Sequence, residues 1–324
     1  MRILRASMIG LFLSWTALAG TAMASDPNAV LPAAAPAADE VWLVSTRNCR
    51  CYGCMVPDAA AFDVRRRDEA CQWQDASLDE LIAASPMPTI VYVHGNRVDW
   101  YDAHQLGCRA YASLRSGCPS TPVRFIIWSW PSDAIRGPMR DVREKGDRAD
   151  LEATCFGWFF AQLPSAARTT FIGYSYGARI VSGGLHLLGG GRWNGVSIGQ
   201  APGAEFRRAV YLAPAMDHCW LCQGGCHGLS LSAVEHLLVF YNPCDPALTR
   251  FRFSEREGRP TALGYAGISN SCLGSGAGNL EQINIASAIG KTHEEDAYWG
   301  STYVLQQICR IAFEPPTATV VTAE

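Results

Sequence analysis

A series of short apolar runs, each continuous rather than alternating, limits this chain more than any other feature. Thr89-Ile90-Val91-Tyr92-Val93 stops at His94-Gly95-Asn96, and Val123 to Trp130 stops at Pro131-Ser132. Thr169 to Ile172 ends at Gly173, Ala209 to Ala213 and Leu237 to Tyr241 follow, and Gln282 to Ala286 is a weaker sixth. Val41-Trp42-Leu43-Val44 precedes them as a candidate first strand. Such runs, rich in β-branched residues, read as strands buried on both faces of a parallel sheet. Helical patterns lie between several of them. Residues 141–163 have the length of a crossover helix, and residues 176–188 place Ile180, Val181, Gly184, Leu185 and Leu188 on one face. Strand and helix in series predict an α/β fold, with a mostly parallel central sheet and helices on both faces. No repeat or shift in composition divides residues 41–324, so they are expected to form a single domain. Its Cys-rich, charged N-terminal segment spans residues 45–85, where Arg65-Arg66-Arg67 reads as a solvated face. A last helix is expected over Tyr298 to Ile311.

The first residues have another character. Arg2 and Arg5 make a basic start, Ala6 to Ser25 carries no charge, and Ala22-Met23-Ala24 has the small-x-small pattern of a signal-peptidase site. Residues 1–24 are therefore expected to be a signal peptide and residues 25–40 a Pro/Ala-rich tether. The other reading is a retained membrane anchor, since the uncharged run is nearly long enough to span. Gly10, Ser14, Thr16 and Gly20 interrupt that run and favour export to a secreted or periplasmic location, with no stable membrane span after cleavage.

Export makes the cysteines legible. All 13 lie beyond residue 24, and an oxidising compartment favours disulfides. An odd count leaves at least one thiol without an intramolecular partner. Cys49-x-Cys51-x2-Cys54 and Cys219-x2-Cys222-x3-Cys226-His227 could instead hold zinc, but their spacings match no known signature. Disulfides are the expected use, and no metal or cofactor is expected. Connectivity is not readable here. An apolar share of 48% suits a large core, and a formal net charge of −3 offers no electrostatic footprint for nucleic acid.

Gly173-Tyr174-Ser175-Tyr176-Gly177 fits G-x-S-x-G, and so does Gly195-Val196-Ser197-Ile198-Gly199. Context separates them. The first follows a strand and opens a helix, the setting in which a Ser takes a strained turn and its hydroxyl stands clear of the sheet. Gly173 and Gly177 have no side chains to collide there. The second lies between Gly189-Gly190-Gly191 and Ala201-Pro202-Gly203, and Ser197 reads as a loop residue.

A serine hydroxyl needs an adjacent base, and on such a sheet the partners follow in the order Ser, acid, His. Beyond the last core strands the remaining histidine is His293, in the polar loop Gly290-Lys291-Thr292-His293-Glu294-Glu295. The candidate acid is Asp245, in a loop stiffened by Pro243 and Pro246. Asp217, at the end of the previous strand run, is the rival. Backbone N–H groups of Tyr176 and Asn96 are the candidate oxyanion donors, with His94 buttressing the Asn96 loop.

Together, Tyr92 to Asn96, Trp128-Ser129-Trp130-Pro131-Ser132, the Ser175 pentapeptide, Asn242 to Asp245 and His293 resemble the α/β-hydrolase superfamily. The Trp-Pro-Ser element is most similar to a lipase- and esterase-like bacterial subgroup without assigned substrates. The resemblance covers about residues 88–312. It implies the α/β-hydrolase fold and cofactor-free hydrolysis of an ester or related acyl bond, in a small-molecule or lipid substrate, through an acyl-serine intermediate. The Cys-rich segments at 49–71 and 219–226 depart from the family's pattern. Two other readings use them: a non-catalytic secreted binding protein on a hydrolase-like fold, and a zinc-dependent activity at residues 219–227.

Overall fold

Branched and aromatic side chains build the centre of the sheet, because they pack well on a pleated surface covered from both sides. The computed structural model describes residues 38–49, 57–164, 168–253 and 259–313. The expected signal peptide, most of the tether, and Cys51 and Cys54 lie outside these residues. Nine strands make one sheet: β1 (Glu40–Ser45), β2 (Asp63–Arg67), β3 (Trp73–Ala76), β4 (Thr89–Val93), β5 (Arg124–Ser129), β6 (Thr169–Tyr174), β7 (Arg207–Leu212), β8 (His236–Tyr241) and β9 (Leu280–Asn284). Their spatial order is β3-β2-β1-β5-β4-β6-β7-β8-β9. Every neighbouring pair from β1 to β9 is parallel, whereas β2 runs antiparallel to β1 and β3 antiparallel to β2.

The helices among the described residues are α1 (Leu78–Ala83), α2 (Trp100–Gly117), α3 (Pro138–Gln162), α4 (Tyr176–Leu188), α5 (Leu263–Ala266), α6 (Ala286–Ile289), α7 (Glu295–Trp299) and α8 (Thr302–Phe313). α2 packs on β5 and against α8, and α3 packs against α4, which lies on β6. Crossover handedness puts these pairs on opposite faces. The β4–α2–β5 unit steps one way along the sheet, and β5–α3–β6 and β6–α4–β7 step the other way. The fold is thus of the α/β class expected. The reversal occurs around β4, so the crevice outside its carboxyl end is a topological switch point. β4, β5 and β7 are buried along their whole length.

Several local expectations change. The Arg65-Arg66-Arg67 run, read as a solvated face, is part of β2. Arg66 is exposed but lays its guanidinium over Trp42 at 5.3 Å, and Arg65 lies 5.7 Å over Trp100. Long cationic side chains cover apolar surface with their stems while the heads stay wet. β9 ends two residues before the run at 282–286 does, because the Asn284 carboxamide accepts from Ala286 N at 3.0 Å and turns the chain. The last helix is broken into α7 and α8 at Gly300-Ser301, where Ser301 Oγ accepts from Val304 N at 3.4 Å.

Two disulfides are formed among the described cysteines, Cys118–Cys309 and Cys222–Cys272. The second removes Cys222 from the candidate zinc cluster, and His227 is fully buried with Nδ1 2.9 Å from Ser182 Oγ. That cluster therefore does not present four ligands to a metal. Cys118–Cys309 ties the end of α2 to α8 across 191 residues. Removing a crosslink over so long a loop relieves the unfolded chain of a large constraint. Cys118→Ser is expected to cost about 2–4 kcal/mol of stability, checked by denaturant unfolding with and without reductant.

Candidate active site

Ser175 sits between β6 and α4 with φ 53° and ψ −117°. A non-glycine residue held there costs about 1–3 kcal/mol and persists only where its surroundings fix it. They do so here. Ser175 N donates to Leu212 O at 2.9 Å, and Ser175 O accepts from Ala178 N at 3.1 Å and Ala215 N at 3.2 Å. The flanking glycines allow the close approach. A Cβ on Gly173 would lie 2.5 Å from Ala178 Cα, and one on Gly177 would lie 2.1 Å from Val93 O. The second contact is the useful one, since it lets the start of α4 abut the end of β4 and brings the His94-Gly95-Asn96 loop beside Ser175.

Ser175 Oγ is 3.2 Å from His293 Nε2, and His293 Nδ1 is 2.6 Å from Asp245 Oδ2. Asp245 is fully buried, and its other oxygen accepts from Ala247 N at 2.8 Å and Leu248 N at 2.9 Å. The carboxylate is thus held from behind while one oxygen faces the imidazole. The rival Asp217 is occupied elsewhere. Its Oδ1 accepts from Cys219 N at 3.0 Å, capping the turn that follows, and lies 3.1 Å from His218 Nδ1. Ser197 is exposed in the loop between α4 and β7, beside the tight turn Trp193–Val196.

Two residues of the sequence motifs, neither with an expected role, hold this arrangement. Asn242 is fully buried at the end of β8; its Nδ2 donates to Gly290 O at 2.9 Å and Thr292 O at 3.5 Å, while its Oδ1 accepts from Cys244 N at 2.9 Å. It staples the Asp245 loop to the His293 loop. Tyr174 Oη donates to the His293 carbonyl. Asn-Pro after a strand signals a turn, but nothing in the sequence marks these long-range partners.

Asn96 and Tyr176 both line the cavity at Ser175. Tyr176 is the first residue of α4, where backbone N–H groups point out of the helix end. The Asn96 loop is anchored from below by Asp141, a fully buried carboxylate on α3. Asp141 accepts from Asn96 Nδ2 at 3.1 Å, Arg97 Nε at 2.8 Å and Ile135 N at 3.0 Å. Burial alone would raise its pKa, but these donors and the buried Lys145 outweigh that and hold it below the ordinary range. His94 supports the same loop. It is fully buried, its Nδ1 is 2.9 Å from Gly95 O, and its Nε2 accepts from Trp130 N at 3.3 Å. Burial and the charge of Arg47 push its pKa down to about 3, so it stays neutral.

Two residues beyond His293, Glu295 Oε1 accepts from Tyr92 Oη at 2.6 Å and Trp299 Nε1 at 3.0 Å, tying the histidine loop to β4. Burial pushes this carboxyl up to about 7 from 4.5. The folded chain then keeps a proton that the unfolded chain releases between those values. The corresponding stability is present below pH 4.5 and is lost as pH rises through 7. Glu295→Gln keeps an oxygen for both donors and cannot ionise. Its melting temperature should rise above that of the native chain as pH passes from 4.5 to beyond 7, read by thermal scans across that range.

No protein-family model matches the chain, and no curated protein matches it. Among solved structures, a lipase-esterase related protein from Clostridium acetobutylicum aligns with a TM-score of 0.31 and 13% identity, over 70% of this chain and 95% of that one.

Proposed function

We propose that the chain is an exported serine hydrolase that cleaves an ester bond through an acyl-serine intermediate. The observation that carries this reading is the Ser175–His293–Asp245 relay, with its 3.2 Å and 2.6 Å separations. In the first half-reaction His293 Nε2 takes the Ser175 proton as Oγ bonds to the acyl carbon. Asp245 stabilises the imidazolium and holds Nδ1–H toward itself. Backbone N–H groups of Asn96 and Tyr176 receive the oxyanion. The tetrahedral adduct collapses, the ester C–O bond breaks, and His293 returns the proton to the leaving alcohol. In the second half-reaction water attacks the acyl carbon and gives a proton to His293; the acyl–Oγ bond then breaks, His293 returns the proton to Ser175 Oγ, and the acid leaves.

The cavity at Ser175 measures about 360 Å³ and has a mainly apolar lining, in keeping with an acyl chain as occupant. Export is supported by the two disulfides. Among the described residues no helix is long and apolar enough to cross a membrane. The test is a fluorophosphonate probe applied to the folded chain, with the adduct mapped by mass spectrometry. Labelling at Ser175 that is lost on heat unfolding supports the reading. Absence of an adduct on the native chain favours the binding-protein alternative.

A further inference from the structure

We propose that the substrate carries an oxyanion as well as its ester, and that Arg250 is the residue that selects for it. This rests on the serine-hydrolase reading and adds the chemical class of the substrate.

Met139, Val142 and Leu248 contribute apolar walls, and among the described residues the charged side chains in the lining are Arg97 and Arg250, with no Asp or Glu. Asp245 is fully buried behind His293 and is committed to it and to two backbone N–H groups. Arg97 spends its Nε on Asp141 at 2.8 Å, and the same carboxylate also faces Lys145 Nζ at 3.6 Å. Asp141 is thus shared between Arg97 and Lys145. Arg250 is exposed and forms no ion pair among the described residues. It is not on a loose loop. Arg250 N donates to Ala247 O at 3.0 Å, and Thr249 Oγ1 donates to Asp245 O at 2.7 Å, so the turn bearing the guanidinium is continuous with the one that holds the acid.

Two arginines in the lining of a mainly apolar cavity fit an amphiphile with one negatively charged end. Apolar walls focus the field, and a guanidinium fork matches the oxygen pair of a carboxylate or two oxygens of a phosphate. Among the described residues Arg97 retains its terminal nitrogens for such a group, since Asp141 engages only Nε. The assigned class is therefore a single-chain ester whose far end is a carboxylate or a phosphate.

The test pairs nitrophenyl half-esters of dicarboxylic acids, in increasing chain length, with the neutral acyl esters of equal length. The measured quantity is the ratio of their kcat/KM values. At one length or more the native chain is expected to favour the anionic ester by about tenfold, the size expected of a charge-assisted hydrogen bond. Arg250→Gln should bring the ratio toward one, and Arg250→Lys should restore part of it. The preference should also shrink as salt is raised. A ratio at or below one for every length, or a ratio that Arg250→Gln leaves unchanged, overturns the proposal.

A second arm needs no turnover. Ser175→Ala is titrated calorimetrically with an alkyl carboxylate, an alkyl phosphate and the alcohol of the same length. Either anion should bind about tenfold more tightly than the alcohol, and the tighter one identifies the headgroup. Equal binding of all three sinks the anion site even where neutral esters are hydrolysed. Anion preference in a chain that hydrolyses nothing would remove the hydrolase reading and leave the anion site standing.

Discussion

Ser175→Ala is expected to lower kcat toward a nitrophenyl ester by about 10⁵–10⁶-fold, the loss seen when a nucleophile is taken from a serine relay. His293 Nε2, 3.2 Å from Oγ in the native chain, would then face a methyl group with nothing to deprotonate. Residual turnover would come from binding and from the N–H donors at Asn96 and Tyr176. The fold should survive, because the bonds that hold the bend at residue 175 run through its backbone N and O. The control is Ser197→Ala, which alters the other G-x-S-x-G and should leave kcat unchanged, since Ser197 is exposed in the loop between α4 and β7. Equal losses in the two variants, or none in the first, would exclude Ser175 as the nucleophile.

Asp245→Asn should cost about 10⁴-fold in kcat, and the local geometry says why. The oxygen away from His293 accepts from Ala247 N and Leu248 N at 2.8 and 2.9 Å. An asparagine keeps both bonds only by placing its oxygen there, which turns its NH₂ toward Nδ1. That NH₂ makes Nδ1 the acceptor and drives the ring proton to Nε2. His293 would then present a donor to Ser175 and could not take its proton. The alternative flip sets an NH₂ against two backbone N–H groups and leaves them unpaired in a buried site, a penalty of about 1–3 kcal/mol for each group. The expected signature is a collapse in kcat with little change in KM. Asp217→Asn should leave kcat near the native value, because Asp217 caps its own turn through Cys219 N. A large loss in Asp217→Asn together with a small one in Asp245→Asn would reverse the assignment of the acid.

The parallel strands are legible in the sequence because burial on both faces leaves an unbroken apolar run, as Thr89 to Val93 and Ala209 to Leu212 illustrate. The same logic hides β2 and β3. Asp63-Val64-Arg65-Arg66-Arg67 and Trp73 to Ala76 lie toward the sheet's margin, where one side is wet, and their pairing is supplied by β1 rather than by their own pattern. The strand-to-helix bend at Ser175 is local chemistry, so a pentapeptide carries it. Asp245 and Asp217 look alike in one dimension, since each follows an apolar run. What separates them is the path of the chain afterwards, which takes Asp245 to His293 and folds Asp217 onto its own turn. Cysteine pairing, the Asp141 anchor and the Asn242 staple connect distant residues and leave no spacing to read.

Asn242 carries a mechanical implication. Because its carboxamide grips the carbonyls of Gly290 and Thr292, the His293 loop and the Asp245 loop are coupled as one jaw. The opposite jaw is the kinked start of α4, which its own backbone clamps. Any tightening around a bound molecule falls to the rim of the cleft, where Met139 and Arg250 are both exposed. Fit to a ligand can thus adjust there without altering the Ser175–His293 and His293–Asp245 separations.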